Sequence, residues 1–151
     1  KTALTYLKTG GAIGIFPGGT VSTARKPFGY PMDPGWRTFT AKMIAKSGAT
    51  VVPIFFQGHN SRLFQICSHL HYSLRTSLFI SEFRKRTNSP VQMVIGQALR
   101  QDDLDKYAKD PRAMMDFLRA ATYNLSPKPL NQFGHGFEFE DRHKQNGSGR
   151  I

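Results

Sequence analysis

The sequence predicts an α/β fold in which a mainly parallel sheet is flanked by helices. Two apolar runs, Thr50–Phe56 and Val91–Ile95, have the composition of buried strands, and a shorter run at Ile13–Phe16 leads into a glycine-rich loop. Apolar residues at helical spacing lie before, between and after these runs. The predicted element order up to residue 107 is therefore α, β, α, β, α, β, α, and a further helix follows.

The first two helices are predicted from apolar spacing and from residues that end helices. The first lies before Gly10-Gly11, and the second follows Pro34 and ends at Gly48. The second helix presents an apolar face that we expect to lie in the core. That face consists of Trp36, Phe39, Met43 and Ile44.

Three later helices are predicted, each from a different feature of the sequence. One helix is expected between Leu63 and the basic cluster Arg84-Lys85-Arg86. Asp102 or Asp103 is expected to cap a short helix. Asp110-Pro111 is a typical helix start, and its apolar residues continue up to Pro127.

Length and composition favour one domain, residues 1–126, followed by a polar and flexible tail, residues 127–151. The longest apolar run, Val51–Phe56, is far shorter than the roughly 18 residues that a spanning helix needs. The 21 Lys and Arg residues exceed the 10 Asp and Glu residues, which gives a net charge of +11. Such a charge favours an anionic membrane surface, a nucleic acid or a phosphorylated metabolite as partner.

Metal and thiol chemistry are not expected. Cys67 is the single cysteine, so it forms no internal disulfide, and we expect a small buried thiol in a reducing compartment. Cys67, His69 and His71 alternate and would share one face of a strand, with His59 as a further candidate ligand. Three ligands at adjacent alternate positions are crowded, so we predict that no metal binds.

The loop after Ile13–Phe16 is the candidate ligand site. Pro17, Gly18, Gly19, Thr20 and Ser22 offer backbone N–H groups and hydroxyls to one anion, which we expect to be phosphate. Positive charge follows at residues 25 and 26. The spacing from Gly14 to Gly19 matches a nucleotide-binding loop, but a threonine stands where such loops need lysine, so nucleotide hydrolysis is not predicted.

The block Phe16-Pro17-Gly18-Gly19-Thr20-Val21-Ser22 resembles the Phe-Pro-Glu-Gly-Thr-Arg-Ser block of the lysophospholipid and glycerol-3-phosphate acyltransferase family, and Val51–Ile54 resembles its later Val-Pro-Val/Ile block. The likeness extends over residues 1–98 and is strongest to a bacterial branch described as hemolysin-like acyltransferases. It includes further segments in chain order: Pro27–Gly29, Trp36, Gly58–Phe64, Leu74-Arg75 and Glu82-Phe83.

This resemblance implies a partial acyltransferase domain. The implied reaction transfers a fatty acyl group from acyl-CoA or acyl-carrier protein to a hydroxyl of a lysophospholipid or related acceptor. No other cofactor is implied, and the implied location is peripheral, at the cytoplasmic face of an anionic membrane. The site residues would be Pro17, Gly18, Gly19, Thr20 and Ser22, with Arg25 or Lys26 supplying the charge that the family's arginine has at position 21.

The family's catalytic histidine and aspartate, in a His-x-x-x-x-Asp block, do not precede Phe16 in these residues. His135 and Glu140 have that spacing but lie in the polar tail, and we interpret them as a coincidence. The expectation is a C-terminal part of the enzyme that is inactive by itself. Two alternatives stay open at this point: a basic nucleic-acid-binding module, and a family member that binds lipid without catalysis.

Overall fold

The computed structural model describes residues 2–130 and 133–138, which divide into two compact units. The first unit comprises residues 1–19, 36–58 and 91–132, and the second comprises residues 20–35, 59–90 and 133–151, within the described ranges. The elements in chain order are α1 (Thr2–Lys8), β1 (Thr23–Ala24), β2 (Pro31–Met32), α2 (Phe39–Ser47), β3 (Ile54–Phe56), α3 (Arg62–Leu70), α4 (Tyr72–Arg86), β4 (Met93–Ile95), α5 (Gln101–Asp105) and α6 (Pro111–Tyr123).

The described residues have a mixed α/β composition, but the prediction of a mainly parallel sheet is wrong for them. Their strands form two antiparallel pairs, β1 with β2 and β3 with β4. In the second pair, Ile54 lies opposite Ile95, and Phe56 lies opposite Met93. All four of these side chains are exposed, so this pair is not covered on both faces as a buried parallel strand would be.

The region between β3 and β4 explains the antiparallel pairing. The sequence suggested one crossover helix, which would return the chain to a parallel strand. The backbone is instead extended at His71, with φ −157° and ψ 144°, and two helices result. Contacts between residues 68 and 75, 64 and 79, and 61 and 82 show that α3 and α4 run antiparallel. Two such helices are compatible with a strand that returns in the opposite direction.

The first unit is organised around an apolar core. It consists of Trp36, Ala41, Ile44, Leu104, Met114, Met115 and Leu118. The predicted start of α6 is confirmed, because Asp110 Oδ1 accepts hydrogen bonds from the N–H groups of Arg112 and Ala113, each at 3.0 Å. The predicted end of α2 is also confirmed, since Gly48 has φ +62° and donates its N–H to Ile44 O.

Three local predictions for the first unit are wrong. Residues 13–16 form no strand. Phe39 is 66 % exposed rather than in the core, because α2 begins there and the buried face is carried by Ala41, Ile44 and their neighbours. Arg100, not an aspartate, is the N-cap residue of α5, and Asp102 and Asp103 lie in its first turn.

Within the described ranges, no helix is long and apolar enough to cross a membrane. Of the predicted tail, residues 133–138 belong to the second unit and contact its hairpin, as described below. Glu140 lies outside the described residues, as does most of the rest of the tail.

Candidate functional site

The second unit holds the segment Thr20–Ser22 next to a short hairpin whose first strand is fixed by α3. Thr23 and Ala24 of β1 are fully buried. Ala24 N–H donates to Gln65 Oε1 at 2.9 Å, and His69 Nε2 lies 2.8 Å from Ala24 O. Because side chains from α3 satisfy both backbone groups of Ala24, the preceding residues enter the hairpin in a fixed direction.

Arg75 of α4 extends to this segment. Its Nη1 donates to Thr23 Oγ1 at 2.8 Å and to Ser68 Oγ at 3.0 Å. Its Nη2 lies 3.4 Å from Val21 O and 3.5 Å from Thr20 Oγ1, which are longer and weaker contacts. A single buried guanidinium on α4 therefore contacts Ser68 of α3, Thr20 and Val21 of the loop, and Thr23 of β1.

The charge of Arg75 is buried among hydroxyl groups, a carbonyl oxygen and an aromatic ring. The side chain is buried, and its Cζ lies 5.1 Å from the centroid of the Phe64 ring. Burial lowers the pKa of Arg75 from its ordinary value, partly offset by Tyr72. An arginine remains protonated at neutral pH under such conditions. The loop therefore lies against a permanent positive charge that little water screens.

A second buried charge fixes the position of α4. The Glu82 carboxylate accepts hydrogen bonds from Ser61 N–H and Ser61 Oγ, each at 2.7 Å, and lies 3.5 Å from Lys85 Nζ. Burial raises the pKa of Glu82, but the hydrogen bonds from Ser61 and the charge of Lys85 outweigh it, so the net shift is downward. Because Arg75 and Glu82 lie two turns apart on one helical face, this contact orients Arg75 as well.

The Ser22 and Thr20 hydroxyls differ in what they can offer a ligand. Ser22 Oγ donates its hydrogen to Asp33 Oδ1, so that hydrogen is used within the protein. The Asp33 carboxylate also places negative charge beside Ser22. Thr20 Oγ1 accepts from Arg75 and keeps its own hydrogen for a ligand. Of the two predicted hydroxyls, Thr20 is the one suited to donate to an anion.

Residues 133–138 cover the hairpin from another side. Gly136 N–H donates to Asp33 O at 2.8 Å, and Phe137 N–H donates to Thr23 O at 3.0 Å. A Cβ at Gly136 would lie 1.9 Å from Met32 O, so only glycine fits there. The backbone of Thr23 is thus held by this segment, while its side chain is held by Arg75.

The other predicted site residues are divided between the two units. In the first unit, Pro17 O accepts from Arg37 N–H at 3.0 Å, Gly18 is buried, and Gly19 has φ +66° in a turn closed onto Phe16 O. In the second unit, Arg25 and Lys26 are exposed in the connection between β1 and β2. Arg75, which the sequence analysis did not assign to the site, contacts Thr20, Val21 and Thr23.

A sequence signal for Arg75 exists. It is the only Asp, Glu, Lys or Arg between Arg62 and Glu82, in a stretch rich in apolar and hydroxyl side chains. A single charge at a helical spacing of seven from Glu82 indicates a buried, paired role rather than a solvated one. Ser68, its second partner, carries no comparable signal.

The three histidines named as candidate metal ligands contact backbone atoms. His59 Nδ1 lies 3.0 Å from Asn60 O, His71 Nδ1 accepts from Ser73 N–H at 3.2 Å, and His69 contacts Ala24 as described. Cys67 is half-buried on α3. Across residues 2–130 and 133–138, no three His, Cys, Asp or Glu side chains are grouped to hold a metal ion.

Comparison with known protein families, with curated proteins and with solved structures found no match to this chain. The acyltransferase resemblance therefore depends on its motif residues alone.

Proposed function

We propose that this chain carries the acceptor-binding part of an acyltransferase that acts on lysophospholipids or related phosphate-bearing alcohols. The observation that supports the proposal most directly is the contact of Arg75 with Thr20, Val21 and Thr23. In the resembling block the family has an arginine at the position of Val21. A guanidinium from α4 at the same segment supplies the positive charge that this substitution removes.

In this proposal Thr20 donates its hydroxyl hydrogen to a phosphate oxygen of the acceptor, and Arg75 lowers the free energy of the bound anion. Gly19 N–H already donates to Phe16 O, so the proposal does not assign it to the ligand. The acyl donor is a thioester of CoA or of acyl-carrier protein. The peripheral membrane location implied by the resemblance belongs to the same proposal.

The reaction joins the acceptor hydroxyl oxygen to the thioester carbonyl carbon. The carbon–sulfur bond breaks, the thiol leaves, and the hydroxyl proton passes to a general base. The proposal assigns that base to a histidine–aspartate pair that is not among these 151 residues. This chain alone is therefore expected to bind acceptor without transferring acyl groups.

The test is an acyl-transfer assay on a protein that combines this chain with the catalytic pair. Lysophosphatidic acid is the acceptor, and monoacylglycerol is its phosphate-free control. Thr20→Val should raise the Michaelis constant for lysophosphatidic acid about tenfold with little change in kcat, because it removes an acceptor-binding hydrogen bond. Thr38→Val is the matched control, since the Thr38 hydroxyl makes no capping bond at α2. Absence of transfer, or equal kinetics for both variants, would contradict the proposal.

A further inference from the structure

The second unit exposes large apolar side chains next to clustered cations. Phe28, in the connection between β1 and β2, is 79 % exposed and follows Arg25 and Lys26. On α4, Phe83 is 71 % exposed and Ile80 is 64 % exposed. Both lie in the last two turns of a helix that ends in Arg84, Lys85 and Arg86.

The same short segment, His59–Arg62, holds both of these regions. Arg62 Nη1 donates to Phe28 O at 3.2 Å and to Gly29 O at 2.8 Å. From α4, Glu82 binds Ser61, and Arg86 Nη2 donates to His59 O. The loop Arg25–Phe28 and the helix end Ile80–Arg86 are thus anchored at one place. We refer to these two ranges together as the basic–aromatic end.

We propose that the basic–aromatic end docks onto a lipid surface rich in anionic headgroups. Phenylalanine and isoleucine side chains flanked by Arg and Lys are typical of segments that lie in the membrane interface, with the apolar groups among the acyl chains and the cations at the headgroups. This inference deepens the proposed function. Only one part of it rests on that function, namely that the membrane contains the acceptor lipid.

The helix end also offers donors suited to lipid phosphate. Ser77, Ile80, Ser81, Arg84 and Lys85 line a shallow depression on α4. Serine hydroxyls and the two cations can donate to phosphate oxygens, while Ile80 lies among them as an apolar contact. This composition matches a surface in which headgroups and acyl chains meet.

Other occupants fit these observations less well. Nucleic acid would gain from stacking on Phe28 and Phe83, but an aliphatic side chain such as Ile80 offers no stacking surface. A second copy of the chain would bring like charges together, because each copy carries a net charge of +11. An anionic lipid surface offers phosphate groups to the cations and acyl chains to Ile80.

The test is vesicle flotation of this chain with two lipid compositions: phosphatidylcholine alone, and phosphatidylcholine in which about a third of the lipid is phosphatidylglycerol. The wild-type chain should float with the anionic vesicles and only weakly with the neutral ones. Phe28→Ser with Phe83→Ser should weaken binding about tenfold or more, since both rings are exposed and their loss leaves the fold intact. Circular dichroism checks that folding is unchanged, and Phe39→Ser is the control for an exposed ring elsewhere.

The contribution of the cations to vesicle binding is tested with a second double variant and its control. Lys26→Gln with Arg84→Gln should weaken binding to anionic vesicles about thirtyfold, at about 1 kcal/mol for each cation near the surface. Lys42→Gln with Lys46→Gln removes the same charge from exposed positions on α2 and should change binding far less.

Three results would overturn the docking proposal. The first is that the wild-type chain does not float with anionic vesicles. The second is that the test variants and their controls lose vesicle binding equally. The third is that the phenylalanine variant keeps flotation but loses oligonucleotide binding or dimerisation. Failure of flotation with intact binding of soluble glycerol 3-phosphate would reject the docking surface alone. Flotation without any acyl transfer by the combined protein would reject the proposed function alone.

Discussion

The two units of the chain bury different kinds of side chain. Apart from Thr40, the buried side chains of the first unit within the described ranges are apolar, and they include Trp36, Met115 and Leu118. The second unit buries Thr23, Gln65, Ser68, Arg75 and Glu82 together with Phe64 and Met32. Apolar burial is non-directional, whereas a buried polar group requires partners at defined positions. The first unit is therefore suited to support a structure, and the second is suited to hold a charged group at a fixed place.

The largest effect on stability is expected in the apolar core. Met115→Ala should lower the free energy of unfolding by about 2–5 kcal/mol, because the fully buried side chain leaves a cavity. Urea unfolding followed by circular dichroism measures this change. Met93→Ala, at a half-exposed position of β4, is the control and should cost less than about 1 kcal/mol. Equal losses would mean that the first unit does not depend on this core.

The stability of the second unit should depend on the hydrogen bonds of Arg75. Arg75→Met keeps most of the side-chain volume but removes the donors to Thr23 and Ser68, which should lower the free energy of unfolding by about 2–3 kcal/mol. The control is Arg84→Met at an exposed position of the same helix, which should change it by less than about 0.5 kcal/mol. An equally small effect of both variants would show that the network around Arg75 is not structural.

A smaller and pH-dependent effect is expected at Glu82. Its pKa is lowered in the folded chain, so its stabilising contribution is present above the ordinary value of 4.5 and is lost as the pH falls through the lower folded pKa. Glu82→Gln should remove about 1–2 kcal/mol at neutral pH and flatten the loss of stability in acid. Thermal unfolding across the acidic range measures both quantities.

Asp103 provides the control for that measurement. Its pKa is also lowered, by the hydrogen bond and charge of Lys106, but the Asp103 side chain is 40 % exposed. Asp103→Asn should leave the acid dependence of unfolding unchanged, because solvent screens exposed pairs. If both variants changed the loss of stability at acidic pH equally, Glu82 would not be the carboxylate that determines it.

Local signals predicted part of the fold well. Asp110-Pro111 and Gly48 determine helix ends through their own backbone and side-chain chemistry, and both were predicted correctly. Strand direction was not predictable in this way. It depends on the path of the chain between β3 and β4, and the break between the two helices at His71 has neither glycine nor proline to mark it.

The candidate site shows the same division between local and distant information. The hydroxyl and glycine residues of the loop were recognisable because they are adjacent in sequence. Arg75 lies more than fifty residues from Thr20, so its contact depends on how α4 packs against α3. The engagement of Ser22 by Asp33 likewise depends on the hairpin between them. Tertiary contacts thus decide which of the candidate side chains are free to bind.

The most direct test of the central claim is a calorimetric titration of this chain with glycerol 3-phosphate, with glycerol as the phosphate-free control. The account predicts that the wild-type chain binds glycerol 3-phosphate but not glycerol. Thr20→Val should weaken that binding about tenfold, and Thr38→Val should leave it unchanged. Equal affinities of the two variants, or equal binding of glycerol and its phosphate, would contradict the assignment of Thr20 and Arg75 to a phosphate site.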